Sequence, residues 1–102
     1  MTENTIRIMR VIKAIPRGKV SSYRDVALAA GLPNGARQTV RVLHSLSEKH
    51  KLPWHRVVRV SGSIALPSGE GRELQIELLR TEGVEVSSDG RIDMNRFGVI
   101  QN

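Results

Sequence analysis

A chain of 102 residues and 11.3 kDa has room for one modest hydrophobic core and little surplus for a second, so a single domain over residues 1–102 is expected. Its 16 Lys and Arg against 10 Asp and Glu give a formal net charge of +6 and a sequence pI near 10.8, a balance that favours a polyanionic partner, either nucleic acid or an anionic membrane. The absence of cysteine excludes disulfides, thiolate metal sites and any thiol nucleophile.

The chain opens on the polar run 1–5, without the basic-then-apolar order of a signal peptide, and no stretch approaches the roughly 18 apolar residues of a spanning helix. A soluble protein working in the cytoplasm, clear of the membrane, is expected. Ile6, Met9, Ile12 and Ile15 then recur at near-helical spacing, with Arg7, Arg10 and Lys13 opposite. They predict an amphipathic helix over residues 5–15, stopped by Pro16, Arg17 and Gly18.

Ser22 followed by Asp25 resembles a capping box with Asp in place of the usual Glu, and predicts a helix over 23–30 that ends at Gly31. After a turn through Leu32 and Pro33, Asn34 is a candidate N-cap. Ala36, Val40, Leu43 and Leu46 then form one apolar stripe of a helix over 35–47, with Arg37, Arg41, His44 and Glu48 opposite. Two short helices about a glycine turn, the second carrying exposed basic residues, follow the helix-turn-helix pattern, although helical hairpins that never touch DNA share it. Residues 57–60 and 63–66 read as two short strands about Ser61 and Gly62, the wing that follows such a unit. The expected fold class is therefore α/β, mainly α: a winged helix-turn-helix. A further helix is predicted over 71–81, with Leu74, Leu78 and Leu79 inward and Gly83 as its stop. The tail through Val84, Asp89, Gly90 and Met94 reads as a small hairpin, and the last residues as loose.

The most specific signal is Pro53-Trp54-His55-Arg56-Val57. It resembles the active-site motif of the O6-alkylguanine-DNA alkyltransferases, with tryptophan at the position of the alkyl-accepting cysteine, a substitution that marks the alkyltransferase-like proteins. Further blocks resemble the family in order: residues 18–23, Ala36-Arg37, Ser68-Gly69 and residues 78–83. Ordered blocks at compatible spacing carry far more weight than a lone Pro-x-His-Arg. The resemblance spans residues 5–84 and takes in only the DNA-binding half of an alkyltransferase.

The resemblance implies a role for each matching residue. Arg37 would enter the base stack from the minor groove and fill the gap left by a flipped nucleotide, with Gly35 and Ala36 small enough to let the backbone approach. Tyr23 would crowd the target phosphate and hydrogen-bond the flipped base, and Trp54 would wall the pocket. Val57 and Trp54 would present carbonyls to the guanine amine, and Ser68 would cap O6 from its loop. His55 and Glu82 match the pair that deprotonates the cysteine through a water, and would survive here as remnants held with Arg56 by hydrogen bonds. Without the resemblance each has a plainer reading: a solvated arginine, a half-buried tyrosine, a core tryptophan. Arg41, Arg59 and Arg72 could meet phosphates or simply be exposed charges.

The family's chemistry fails at one point. A thiolate takes an alkyl group by displacement because it is a strong nucleophile, whereas an indole offers only a weakly acidic N–H. The resemblance thus implies a non-enzymatic protein that binds O6-alkylguanine in duplex DNA as a monomer, needs no cofactor, and hands the site to nucleotide excision repair proteins. No metal is expected, since His44, His50 and His55 lack helical ligand spacing and an accompanying carboxylate cluster. Val40-Arg41 stands where alkyltransferases have paired glycines, and Leu46 where they have an asparagine, so the helix is expected to sit somewhat differently on DNA. Two other readings compete: a sequence-specific winged-helix transcription regulator, and a hydrolase or transferase using His55 and Glu82.

Overall fold

In the computed structural model, which describes residues 1–99, helix α1 spans Glu3–Lys13 and begins where Thr2 Oγ1 accepts the Thr5 N–H. Glu3 in its first turn and Arg10 and Lys13 in its last complement the helix dipole. Its inward stripe is Ile8, Met9 and Ile12, continued by Ile15; Ile6, expected inside, is 38% exposed. Steps of three residues fall behind a 3.6-residue turn, so counting back from Ile12 through Met9 the series has left the buried face by Ile6, while 8, 12 and 15 track it.

Strand β1, Ser21–Ser22, leads directly into α2, Tyr23–Ala29. Half of the capping box forms, with Ser22 Oγ accepting the Asp25 N–H at 3.0 Å while the Asp25 carboxylate lies beside Arg24, and Gly31 leaves the helix at φ +81°. Helix α3 spans Ala36–His50, but its N-cap is Gly35 and not Asn34, whose side chain is exposed. Gly35 is buried so tightly against the preceding turn that a Cβ there would lie 2.8 Å from Leu32 Cβ and 3.1 Å from Leu32 O. The inward face of α3 is Thr39 and Val42, with Leu43 and Leu46 partly buried beside them; Val40, placed on the apolar stripe by the sequence, is 45% exposed. Thr39 takes the buried position because its hydroxyl can donate back to Gly35 O at 3.3 Å. Lys51 ends α3 in the left-handed conformation at φ +52°.

Strand β2, Val57–Val58, pairs with β1 in parallel, Ser21 opposite Val57 and Ser22 opposite Val58. Adjacent strand residues face opposite ways. Val57 accordingly joins the cluster of Ile8, Ile12, Ile15, Val26 and Val42, and Val58 a second cluster with Val20, Ile64, Leu79, Val84 and Phe97. The two-stranded sheet is thus the partition between the halves of the core.

The predicted 57–60 and 63–66 hairpin is reduced to a tight turn, closed by Arg59 N–H to Ser63 O at 3.0 Å. Ser63 instead bridges Arg91, and Ile64 N–H donates to Gly90 O. The second limb of the wing is therefore zipped to the tail, because burying Ile64 beside Val86 and Ile92 removes more apolar surface than an isolated hairpin could. Helix α4, Arg72–Thr81, buries Gln75 and Leu79; Leu74, expected inside, is 51% exposed. Gly83 stops it at φ +88°. In the tail a turn at residues 87–91 replaces a regular hairpin, and α5, Met94–Phe97, follows. Instead of lying loose, residues 97–99 are tied down: Val20 N–H donates to Phe97 O and Val99 N–H to Val20 O. The last three residues lie outside those described.

The architecture is mainly helical with a small sheet, a winged helix-like arrangement with α2 and α3 as its helical pair. No helix among the described residues is long and apolar enough to cross a membrane.

Candidate nucleic-acid interface and its cleft

Between α3 and α4 lies a cleft of about 840 Å³, the size range in which folded proteins hold small molecules. Val40 and Leu43 line one wall, Leu74 and Leu78 the other, and Trp54 and Tyr23 complete it. The two leucine and valine positions that the sequence misplaces as core, Val40 and Leu74, are exposed because they face this cleft. Glu48, Lys51 and Glu70 supply charge among its lining residues.

Trp54 is held by its backbone. It opens a 3₁₀ turn, Trp54–Arg56, whose start is fixed by Trp54 N–H to Leu52 O at 2.8 Å and whose end by Val57 N–H to Trp54 O. Its ring meets His55 edge-on, with centroids 6.1 Å apart and planes at 85°. Across the cleft floor, the Gln75 amide nitrogen donates to His55 O at 3.1 Å and Val57 O at 3.2 Å, stitching α4 to this turn. Val57 O and Trp54 O thus each hold one donor already, and a carbonyl has a second lone pair to offer.

Beneath the cleft, Glu82 collects four donors. Arg56 binds it in fork geometry, Nε to Oε1 at 2.9 Å and a terminal nitrogen to Oε2 at 2.8 Å; Gly18 N–H reaches Oε1 at 3.2 Å and His55 Nε2 lies 2.7 Å from Oε2. Arg56 also donates to Ile15 O at 2.9 Å, so the network locks α1's exit to α4's end. Burial of the carboxylate, which is 6% exposed, opposes its charge, but the Arg56, His55 and Gly18 hydrogen bonds outweigh that and hold its pKa at about 2. A carboxylate only accepts, so a neutral His55 must carry its proton on Nε2 and present Nδ1 as an acceptor.

The remaining sequence-predicted positions lie apart from the cleft lining. Arg37 is exposed in the first turn of α3, and its side chain makes no hydrogen bond or ion pair among the described residues. Ala36 opens that helix, and Gly35 has a reason internal to the fold in its contact with Leu32. Ser68 is exposed and donates to Glu73 Oε2 at 2.8 Å, while Gly69 N–H donates to Glu73 Oε1; this loop is tied back to α4, and the Gly69 and Ser68 hydrogen bonds lower the Glu73 pKa. At Tyr23, burial raises the hydroxyl pKa, with the nearby Arg59 charge working against it. The structure therefore brings Tyr23, Trp54 and His55 to one cleft, and keeps Arg37 and Ser68 on the surface outside its lining. Sequence reasoning missed Gln75, Leu66 and Leu74; a glutamine amid the apolar run of a helix is the one signal that could have flagged a buried polar tie. No group of three or more potential metal ligands occurs among the described residues.

Comparison with known proteins places this geometry. A family model described as the DNA-binding domain of 6-O-methylguanine DNA methyltransferase matches residues 3–84. The DNA base-flipping protein of Escherichia coli is 46% identical over 91 residues, covering 89% of this chain and 70% of that one. The DNA base-flipping protein of Vibrio parahaemolyticus is 41% identical, covering 95% and 96%. Among solved structures, Schizosaccharomyces pombe Atl1 in complex with damaged DNA containing O6-carboxymethylguanine matches with a TM-score of 0.85 at 31% identity, covering 97% of this chain and 96% of that one. The O6-methylguanine methyltransferase of Mycobacterium tuberculosis matches with a TM-score of 0.64 at 26% identity, covering 95% and 56%.

Proposed function

The chain belongs to the family of the 6-O-methylguanine DNA methyltransferase DNA-binding domain, and on that basis we propose that it recognises O6-alkylguanine in duplex DNA by flipping the nucleotide out, without transferring the alkyl group. The observation that carries this reading is Trp54 lining an apolar cleft beside Tyr23 in a chain that has no cysteine. An alkylated guanine pairs poorly, so its extrusion costs less than the few kcal/mol of an intact pair, and the apolar walls then favour the alkyl group. Arg37, long and unpartnered, fills the vacated stack, and its neighbours Gly35 and Ala36 keep the start of α3 slim.

His55 and Glu82 have no nucleophile to serve, and Glu82, already holding Arg56, is a poor base at a pKa of about 2. The output is therefore slow dissociation that marks the site, for nucleotide excision repair to take over. Binding to duplexes with and without a single O6-methylguanine, at one stated salt concentration, tests this. Wild type is expected to prefer the lesion by more than about tenfold, some 1.4 kcal/mol, and Arg37→Ala to lose that preference. Equal affinity of wild type for both duplexes would point instead to a regulator reading base sequence through α3.

A further inference from the structure

We infer that Gln75 is a positioning residue for lesion recognition: its amide N–H₂ group holds the His55 and Val57 carbonyls, and through them the turn that presents Trp54 to the cleft. The inference rests on the proposed function, since it assigns a role at the same cleft.

Gln75 is only 2% exposed, and a glutamine is rarely so buried unless its polar atoms are satisfied. Here only half of them are. The nitrogen makes two hydrogen bonds, to His55 O and Val57 O, while the oxygen is buried without a partner among the described residues. The orphaned oxygen is a cost, but an apolar residue at this position in α4 would leave the His55 and Val57 carbonyls without this donor. What the glutamine supplies is a pair of donors at the one place where the chain offers two inward-facing carbonyls, on either side of Arg56. Those carbonyls bracket the end of the 3₁₀ turn that Trp54 opens, and Gln75 itself lines the same cleft. The other side of the turn is held by Arg56 on Glu82. Gln75 is thus the tie on the cleft side, Glu82 the tie on the far side.

The role requires donors and has no use for acceptors. Gln75→Glu keeps the shape but sets a carboxylate against two carbonyls; Gln75→Met keeps length and adds apolarity but leaves both carbonyls unheld. Binding to undamaged duplex depends on surface charge and not on this turn, which gives an internal control. Trp54, the single tryptophan, reports directly on its own placement through emission and acrylamide quenching.

The experiment measures affinity for duplexes with and without O6-methylguanine, Trp54 quenching and the thermal midpoint, for wild type, Gln75→Met and Gln75→Glu. Both variants are expected to lower the lesion preference about tenfold, with undamaged-duplex affinity unchanged and Trp54 more readily quenched. The inference is overturned if either folded variant keeps the wild-type preference within about twofold, or if preference and undamaged affinity fall together with the thermal midpoint, the mark of a merely structural residue. Should wild type itself show no preference, the proposed function fails first and this assignment with it.

Discussion

At the scale of single residues, Glu82 ties three parts of the chain together. Four donors from α1's exit and the Trp54 turn, His55 among them, converge on its carboxylate. Its pKa is depressed from 4.5 to about 2, so the unfolded chain binds the proton more tightly than the folded one. The stabilisation is therefore complete above about pH 4.5 and is lost as pH falls from there toward 2, amounting to about 3 kcal/mol across that window. Urea unfolding at pH 7, 4 and 3 is expected to show this decline, and Glu82→Gln to flatten it while lowering stability at pH 7. A Glu82→Gln protein whose acid sensitivity matches wild type would show that other carboxylates set it. Trp54 and Tyr23 stand at the opposite pole: their placement follows from backbone bonds and cleft walls, and their meaning from what enters the cleft.

At the scale of elements, the turn between α2 and α3 carries a sharp expectation. Gly35→Ala puts a methyl 2.8 Å from Leu32 Cβ and is expected to destabilise by about 1–3 kcal/mol, whereas Asn34→Ala, at an exposed position without a capping bond, stays within about 0.5 kcal/mol of wild type. Chemical denaturation of the two side by side distinguishes a packing glycine from a capping asparagine. The same turn shows how much was legible. Ser22 with Asp25, Gly31 and Gly83 announce their caps and stops because each acts on neighbours a few residues away. The stripe of α3 was misread at Val40 because hydrophobicity does not say whether a residue faces the core or a ligand cleft, and Leu74 failed the same way. The wing was misread because its second limb pairs with residues 90 and 91, a partnership that no local pattern encodes. Of the site, the Trp54 segment was legible through resemblance; Gln75 was not, because its value lies in two backbone carbonyls.

The whole molecule divides into two apolar clusters separated by β1 and β2, and the cleft opens between α3, which packs on the first, and α4, which packs on the second. That division also has a history in time. The buried members of the first cluster all fall within residues 8–57, with Val99 packed against them from the tail; the second needs Val20 to find Val84, Ile92 and Phe97 across most of the chain. Closing so long a loop is slow, and it is rewarded only late in the search for the native state. Stopped-flow refolding and unfolding are expected to separate the two: Ile12→Val slows folding, while Phe97→Leu leaves the folding rate nearly unchanged and speeds unfolding. Equal partition of the two effects would argue for a single diffuse nucleus instead. The grip of residues 97–99 on Val20 would then be the last contact made and the first released, a clasp that sets the lifetime of the native protein and leaves its speed of formation to the helices.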